Sequence, residues 1–189
     1  MKIYIILAHP HSESFNNAMA DAYEKAAVAN GHEVRRQNIG SMHFDPVLWK
    51  GYREKPPLEP DIKTAQANLL WCEKWVIFYP MWWGSVPAIF KGYLDRVLMP
   101  GFAFRYRENS ALWDKLLAGR TAEMFSTCDA PVWWVWLQYR NTDVHMMKRA
   151  VLGFCGFGPV RHRRFGGLRT SSAEQRDKIL QKVAKAARQ

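Results

Sequence analysis

The chain has 189 residues, 48% apolar and 23% charged, with a formal charge of +10 and three cysteines. That length and balance fit one globular unit over residues 1–189 and exclude a disordered or fibrous chain. No apolar run reaches the roughly 18 residues that a membrane-spanning helix needs. Cys72, Cys128 and Cys155 lack the spacing of a disulfide framework or a metal site.

Residues 2–8 read as a first strand, since Met1 to Ala8 is too short an apolar segment for a signal peptide; the expected location is the cytoplasm. Phe15, Ala18, Met19, Ala22, Ala26 and Ala29 then follow helical spacing, and Asn30-Gly31 stops that helix. Strand two is expected over Glu33 to Ile39. A proline- and aromatic-rich loop follows over Met42 to Pro60, then a helix from about Asp61 to Cys72 and strand three at Trp75 to Tyr79. The next helix begins near Val86 and ends near Leu98, because Pro100-Gly101 cannot continue it.

Phe102 to Trp113 reads as a second long excursion and Thr121 to Ser126 as strand four. Residues 143–154 carry a helical pattern, residues 160–165 a short basic strand, and Ala173 to Ala187 a terminal helix. Five strands alternating with five helices predict a doubly wound parallel sheet with helices on both faces.

Two turns at the carboxyl ends of strands carry the chemistry, which is where open parallel sheets bind ligands. The turn after strand one, His9-Pro10-His11-Ser12-Glu13-Ser14-Phe15-Asn16, opens a helix whose N-terminal N–H groups favour an anion. It has neither a dinucleotide glycine pattern nor a Walker lysine, and offers imidazoles, hydroxyls and an amide instead. Ser12 or Ser14 serves equally well as an N-cap, and His9 as a structural histidine. The turn after strand three, Pro80-Met81-Trp82-Trp83-Gly84-Ser85, carries indoles where turn chemistry favours small polar residues. A flat aromatic ligand accounts for both turns, the first holding its phosphate.

The segments His9 to Met19, Phe44-Asp45-Pro46, Pro80 to Gly92 and Phe154-Cys155-Gly156-Phe157 together resemble the NAD(P)H:quinone oxidoreductase family of flavodoxin-like flavoproteins. The resemblance runs from residue 3 to about residue 157. It implies an α/β, flavodoxin-like fold with a five-stranded parallel sheet, a bound flavin (FAD or FMN), and two-electron transfer from NADH or NADPH to a quinone or similar aromatic acceptor. It also implies a homodimer.

Residue by residue, His9, Ser14, Phe15, Asn16 and Ala18 match positions around the flavin phosphate and ribityl chain, and Pro80, Met81, Trp82, Trp83 and Gly84 match the loop beside the ring. After strand four the family carries a threonine pair and two glycines. Here Ser126 and Thr127 stand for the pair, and Cys128-Asp129-Ala130-Pro131 follows without glycine. Family enzymes relay charge through a tyrosine and a histidine shortly beyond, for which Tyr139 and His145 are the nearest candidates. Trp82, Trp83, Trp133, Trp134 and Trp136 are candidate walls of a slot shared by nicotinamide and acceptor.

The cluster Arg161, Arg163 and Arg164 is a candidate cation for reduced flavin or for the extra phosphate of NADPH. Three other readings remain. A flavodoxin-type electron carrier would be acidic, unlike this chain. A flavoprotein ancillary subunit of a membrane transporter has no distinguishing sequence feature. A nucleic-acid-binding module would fit the charge, but no zinc-finger, homeodomain or RNA-recognition pattern accompanies it.

Overall fold

A computed structural model describes residues 1–54 and 56–188. Lys55, within the expected Met42 to Pro60 loop, lies outside the described residues.

Five strands form one parallel sheet: β1 (Lys2–Leu7), β2 (Glu33–Asn38), β3 (Lys74–Pro80), β6 (Thr121–Thr127) and β7 (Val160–Phe165), in the order β2-β1-β3-β6-β7. The order reverses between β1 and β3, whose onward connections leave in opposite directions. That reversal opens a crevice at the carboxyl rim. β3 is buried along its whole length and β1 from Ile3 onward. Continuous apolar strands are what a sheet covered on both faces requires.

Alternation sorts the side chains into two cores. Ile3, Ile5 and Leu7 of β1, with Val76 and Phe78 of β3 and Phe125 of β6, pack against α1 (Phe15–Ala29) and α6 (Ala173–Ala186). Tyr4, Ile6, Trp75, Ile77, Tyr79 and Met124 face the other way, onto α2 (Pro60–Trp71), α3 (Ala88–Val97) and α5 (Thr142–His145). α5 runs on as a wider, π-helical segment over Met146–Gly153.

The five expected strands and five expected helices are all present. A hairpin, a further helix and the 3-10 turns Ile39–Ser41 and Leu168–Thr170 were not expected. The Phe102 to Trp113 excursion contains a small hairpin, β4 (Phe104–Tyr106) with β5 (Trp113–Lys115). It is tied to the motif at 154–157, because Trp113 Nε1 donates to Phe154 O (2.9 Å) and Leu117 N to Cys155 O (3.0 Å). The tryptophan segment after β6 forms a helix, α4 (Val132–Tyr139).

Gly92 joins two of the sequence motifs. A Cβ built there would collide with the backbone and ring of Pro46, so α3 can lie against the Phe44-Asp45-Pro46 segment only with glycine. Nearby, the buried Arg96 guanidinium donates to Asp45 O and pairs with Glu59 at 2.7 Å, holding the 45–59 loop down. Gly92→Ala should therefore lower stability by about 1–3 kcal/mol through overpacking, although alanine adds up to about 1 kcal/mol of helix propensity. A urea midpoint equal to or above that of the native chain would contradict the packing argument.

Candidate active site

Three turns meet at the carboxyl rim. After β1, His9 is half-buried and its ring stands edge-on to Trp82, with centroids 5.6 Å apart at 69°. His9 Nδ1 lies 2.9 Å from His11 N and 2.8 Å from His11 O, so it accepts from the amide or donates to the carbonyl according to its tautomer. Burial keeps the His9 pKa below the usual imidazole value, so the ring is neutral at pH 7. Ser14 caps α1, its Oγ accepting from Asn17 N at 3.2 Å. Phe15 lies under the Arg176 guanidinium, 5.7 Å from the ring centroid, and Ala18 is half-buried one turn on.

Asn16 faces inward and is buried. Its Nδ2 donates to Thr127 Oγ1 at 2.9 Å, while its Oδ1 is buried with no partner among the described residues. A buried acceptor left unsatisfied costs about 1–3 kcal/mol, so it marks a place where a ligand group would be accommodated.

After β3 the chain makes one more rung, Met81 N to Thr127 O (2.7 Å), and folds into a tight turn. Trp82 and Ser85 exchange both backbone bonds at 2.9 Å, with Trp83 at φ 52° and Gly84 at φ 70°. Positive φ at both central positions matches a type I′ turn, and a bulky residue in that region is strained. The Trp83 side chain at the tip of the turn lies wholly in solvent, 100% exposed. From the far side, Thr142 Oγ1 donates to Gly84 O at 2.7 Å.

Met81, Trp82, Trp83 and Gly84 form one wall of an open cleft of about 330 Å³; Cys128, Asp129, Ala130 and Tyr139 complete it. The backbone N–H groups of Asp129 and Ala130 have no acceptor among the described residues. Neither residue has positive φ, so this turn does not need the family's glycines for its own conformation. Gly166 supplies the close approach instead, since a Cβ there would strike Ala130 O.

The structure brings together His9, Ser14, Phe15, Asn16, Ala18, Pro80, Met81, Trp82, Trp83, Gly84, Thr127 and Tyr139 at this rim. It separates two expected residues from it. Ser126 and Thr127 are neighbours in a strand and point to opposite faces. Thr127 therefore reaches α1, whereas Ser126 is fully buried in the other layer, where its Oγ lies 2.8 Å from His162 Nε2. His145 is exposed on α5 and is not among the cleft-lining residues. Trp133, Trp134 and Trp136, expected as slot walls, are likewise outside the lining and point into solvent.

The basic cluster also differs from expectation. Arg163 pairs with buried Glu123, and Arg164 is nearly buried against Asp143, its Nη2 2.6 and 2.8 Å from the two carboxylate oxygens. Tyr79 OH donates to the same carboxylate at 2.9 Å, and Arg164 Nη1 reaches Met81 Sδ at 2.6 Å. Strand alternation explains the sorting: His162 and Arg164 share the Ser126 face, Arg163 the Phe125 face. The Asp143–Arg164–Tyr79 group was missed because its members lie 21 and 64 residues apart; the available signal was the alternation of Val160-Arg161-His162-Arg163-Arg164-Phe165 as a strand.

Residues 1–189 match the family model described as "Flavodoxin-like fold". A Haemophilus influenzae protein named as an uncharacterized NAD(P)H oxidoreductase is 28% identical over 97% of this chain and 93% of its own length. NAD(P)H dehydrogenase [quinone] 1 of Rattus norvegicus is 28% identical over 81% of this chain; the alignment spans 64% of the rat protein. Among solved structures, Smu.1420 from Streptococcus mutans UA159 superposes with a TM-score of 0.86 at 27% identity, covering 100% of this chain and 99% of that one.

Two outcomes follow from the buried groups. Asp143→Ala leaves the Arg164 guanidinium unpaired and should cost about 3–5 kcal/mol in urea unfolding. A loss below about 0.5 kcal/mol, the range of neutral surface changes, would show that the pair is solvated. Burial, assisted by Arg164, pushes the His162 pKa down to about 4. The unfolded chain then binds a proton that the folded chain refuses between about pH 6.5 and 4, so stability falls as pH falls through that window. The loss should be on the order of 3 kcal/mol, and His162→Gln should flatten it; an unchanged pH profile in that variant would contradict the assignment.

Proposed function

The chain belongs to the flavodoxin-like fold family, and from that premise we propose that it is a flavin-dependent NAD(P)H oxidoreductase that passes two electrons to a quinone or similar aromatic acceptor. The names borne by the relatives from Haemophilus influenzae and Rattus norvegicus support the reaction class. The observation that carries the reading is the convergence of unsatisfied polar groups and indoles at one rim: Asn16 Oδ1, the N–H groups of Phe15 and Asn16 at the start of α1, the N–H groups of Asp129 and Ala130, and the Trp82–Ser85 turn.

These residues fit a flavin nucleotide. The α1 N-terminus, with His9, Ser14, Phe15, Asn16 and Ala18, would hold its phosphate and ribityl end through N–H donors and the helix dipole. Pro80 to Gly84 and the Asp129-Ala130 backbone would hold the ring edge. When bound, the flavin supplies hydride acceptance from a nicotinamide and its return to an acceptor.

The chain's own groups set the conditions for that chemistry. Neutral His9 would offer a ring nitrogen for hydrogen bonding beside the α1 N-terminus. Trp82 and Trp83 offer flat apolar surface to nicotinamide and acceptor in turn, which excludes water from their rings. Tyr139 lies on the cleft wall, its hydroxyl able to donate a hydrogen bond to a developing oxyanion, and it takes the catalytic assignment that the resemblance divided between Tyr139 and His145. Arg163 and Arg164 are committed to Glu123 and Asp143, which removes them as ligands for the NADPH phosphate. A cytoplasmic homodimer belongs to the same reading. The exposed indoles beside the cleft favour a reductase with a substrate slot over a simple electron carrier.

The pure protein should oxidise NADH or NADPH with menadione as acceptor, with the parallel double-reciprocal lines of a two-stroke scheme. Tyr139→Phe should lower turnover about 10-fold or more, the scale of a lost proton donor, with flavin content unchanged. Absence of oxidation with either nucleotide would contradict the proposal.

A further inference from the structure

Asp129 is a carboxylate to which the reductase reading gives no role. It lies in the turn after β6, where the resembled family carries a glycine and so no side chain at all. The Asp129 side chain is exposed, and it forms no ion pair or side-chain hydrogen bond among the described residues. Among those residues, no Lys, Arg, His or second carboxylate lines the rim cleft with it. The lining thus carries a single negative charge.

The cations near the cleft do not cancel that charge. Arg164 reaches Met81 Sδ, but its guanidinium is nearly buried and matched by both oxygens of Asp143. His9 stands edge-on to Trp82, and burial keeps its pKa below the ordinary imidazole value. Arg140 follows Tyr139 in the chain and Arg169 follows Leu168, whose N–H donates to Cys128 O at 3.3 Å; neither arginine lines the cleft. The cleft therefore bears a charge opposite in sign to the +10 of the chain. The field of the whole molecule would gather anions, whereas Asp129 at contact distance favours a cation. Screening over about 8 Å at physiological salt leaves the nearer charge in control.

The indoles favour the same sign. A cation is drawn to the negative face of an aromatic ring, most strongly to tryptophan, and aromatic walls are a recurring means of holding organic cations. Trp82 and Trp83 supply such faces to the cleft that Asp129 lines. We infer that Asp129, with the Trp82 and Trp83 rings, makes the rim cleft select aromatic acceptors that bear a positive charge, such as quinones carrying a quaternary ammonium group. The inference rests on the reductase reading for the reduction, and on the cleft alone for the charge preference. The acceptor takes up a hydride equivalent and a proton to become the hydroquinone, while NAD(P)H leaves as NAD(P)⁺. The ammonium group is unchanged.

The test compares two naphthoquinones, one bearing a trimethylammoniomethyl group and one a sulfonate, by kcat/KM per bound flavin at about 0.15 M salt. The substituents also alter the reactivity of the ring, so the readout is the change in their ratio between the native chain and Asp129→Asn. One exposed charge contact is worth about 3-fold in each direction, so loss of the carboxylate should lower the cation-to-anion ratio about 10-fold. Asp129→Glu should retain most of it. A second readout needs no turnover: equilibrium dialysis of the purified protein against redox-inert N-methylquinolinium and, separately, naphthalenesulfonate. The native chain should bind the cation more tightly, and the affinity ratio should again fall about 10-fold in Asp129→Asn. Tighter binding of the anion by the native chain, or a ratio that Asp129→Asn leaves within about 2-fold in either readout, overturns the inference. An unchanged ratio in a protein that oxidises NAD(P)H with uncharged menadione overturns this inference alone. A cation preference in dialysis that Asp129→Asn removes, in a protein that oxidises neither nucleotide, overturns the reductase reading alone.

Discussion

The Arg164–Asp143 ion pair is the interaction on which the rim depends. It joins β7 to α5, Tyr79 adds the end of β3, and the contact of Arg164 with Met81 carries the linkage into the tryptophan turn. Three segments distant in sequence, the 79–81 end of β3, α5 and β7, are thus joined by one buried charge pair. Placing two ions out of water costs several kcal/mol, which their mutual attraction returns only when further hydrogen bonds fill the carboxylate's remaining sites, as Tyr79 does here. Such a group gives conformational definition more than net stability. A turn that must keep Trp83 at positive φ and its side chain in solvent needs a rigid base of that kind.

Most of the fold was legible from sequence because a parallel sheet covered on both faces writes itself as apolar runs between amphipathic helices. β1, β3 and β6 are clear cases, and Asn30-Gly31 and Pro100-Gly101 mark their helix ends correctly. α4 was illegible for the opposite reason: Val132 to Tyr139 has no amphipathic period, since nearly every position is apolar while the helix sits at the surface. The β4–β5 hairpin was hidden because its strands are three residues each, too short to display alternation.

The site was half legible. Its two principal turns followed from their position after strands one and three, and their residues do converge. Ser126 shows the limit: adjacent positions in a strand cannot both face α1, and parity decided for Thr127. The arginines of β7 show another. Read as one cluster they suggest a cationic surface, whereas alternation sends Arg163 to Glu123 and Arg164 to Asp143, leaving little of that charge for a ligand.

The central claim is that the rim holds a flavin nucleotide through the α1 N-terminus and Asn16. The direct measurement is a fluorescence titration of flavin-free protein with FMN and, separately, with FAD, followed by the same titration of Asn16→Leu. The account predicts saturable quenching by at least one of them, weakened on the order of 10-fold in the variant through loss of about one buried hydrogen-bonding group. Absence of saturable binding by either nucleotide, or equal affinity in the variant, would contradict it.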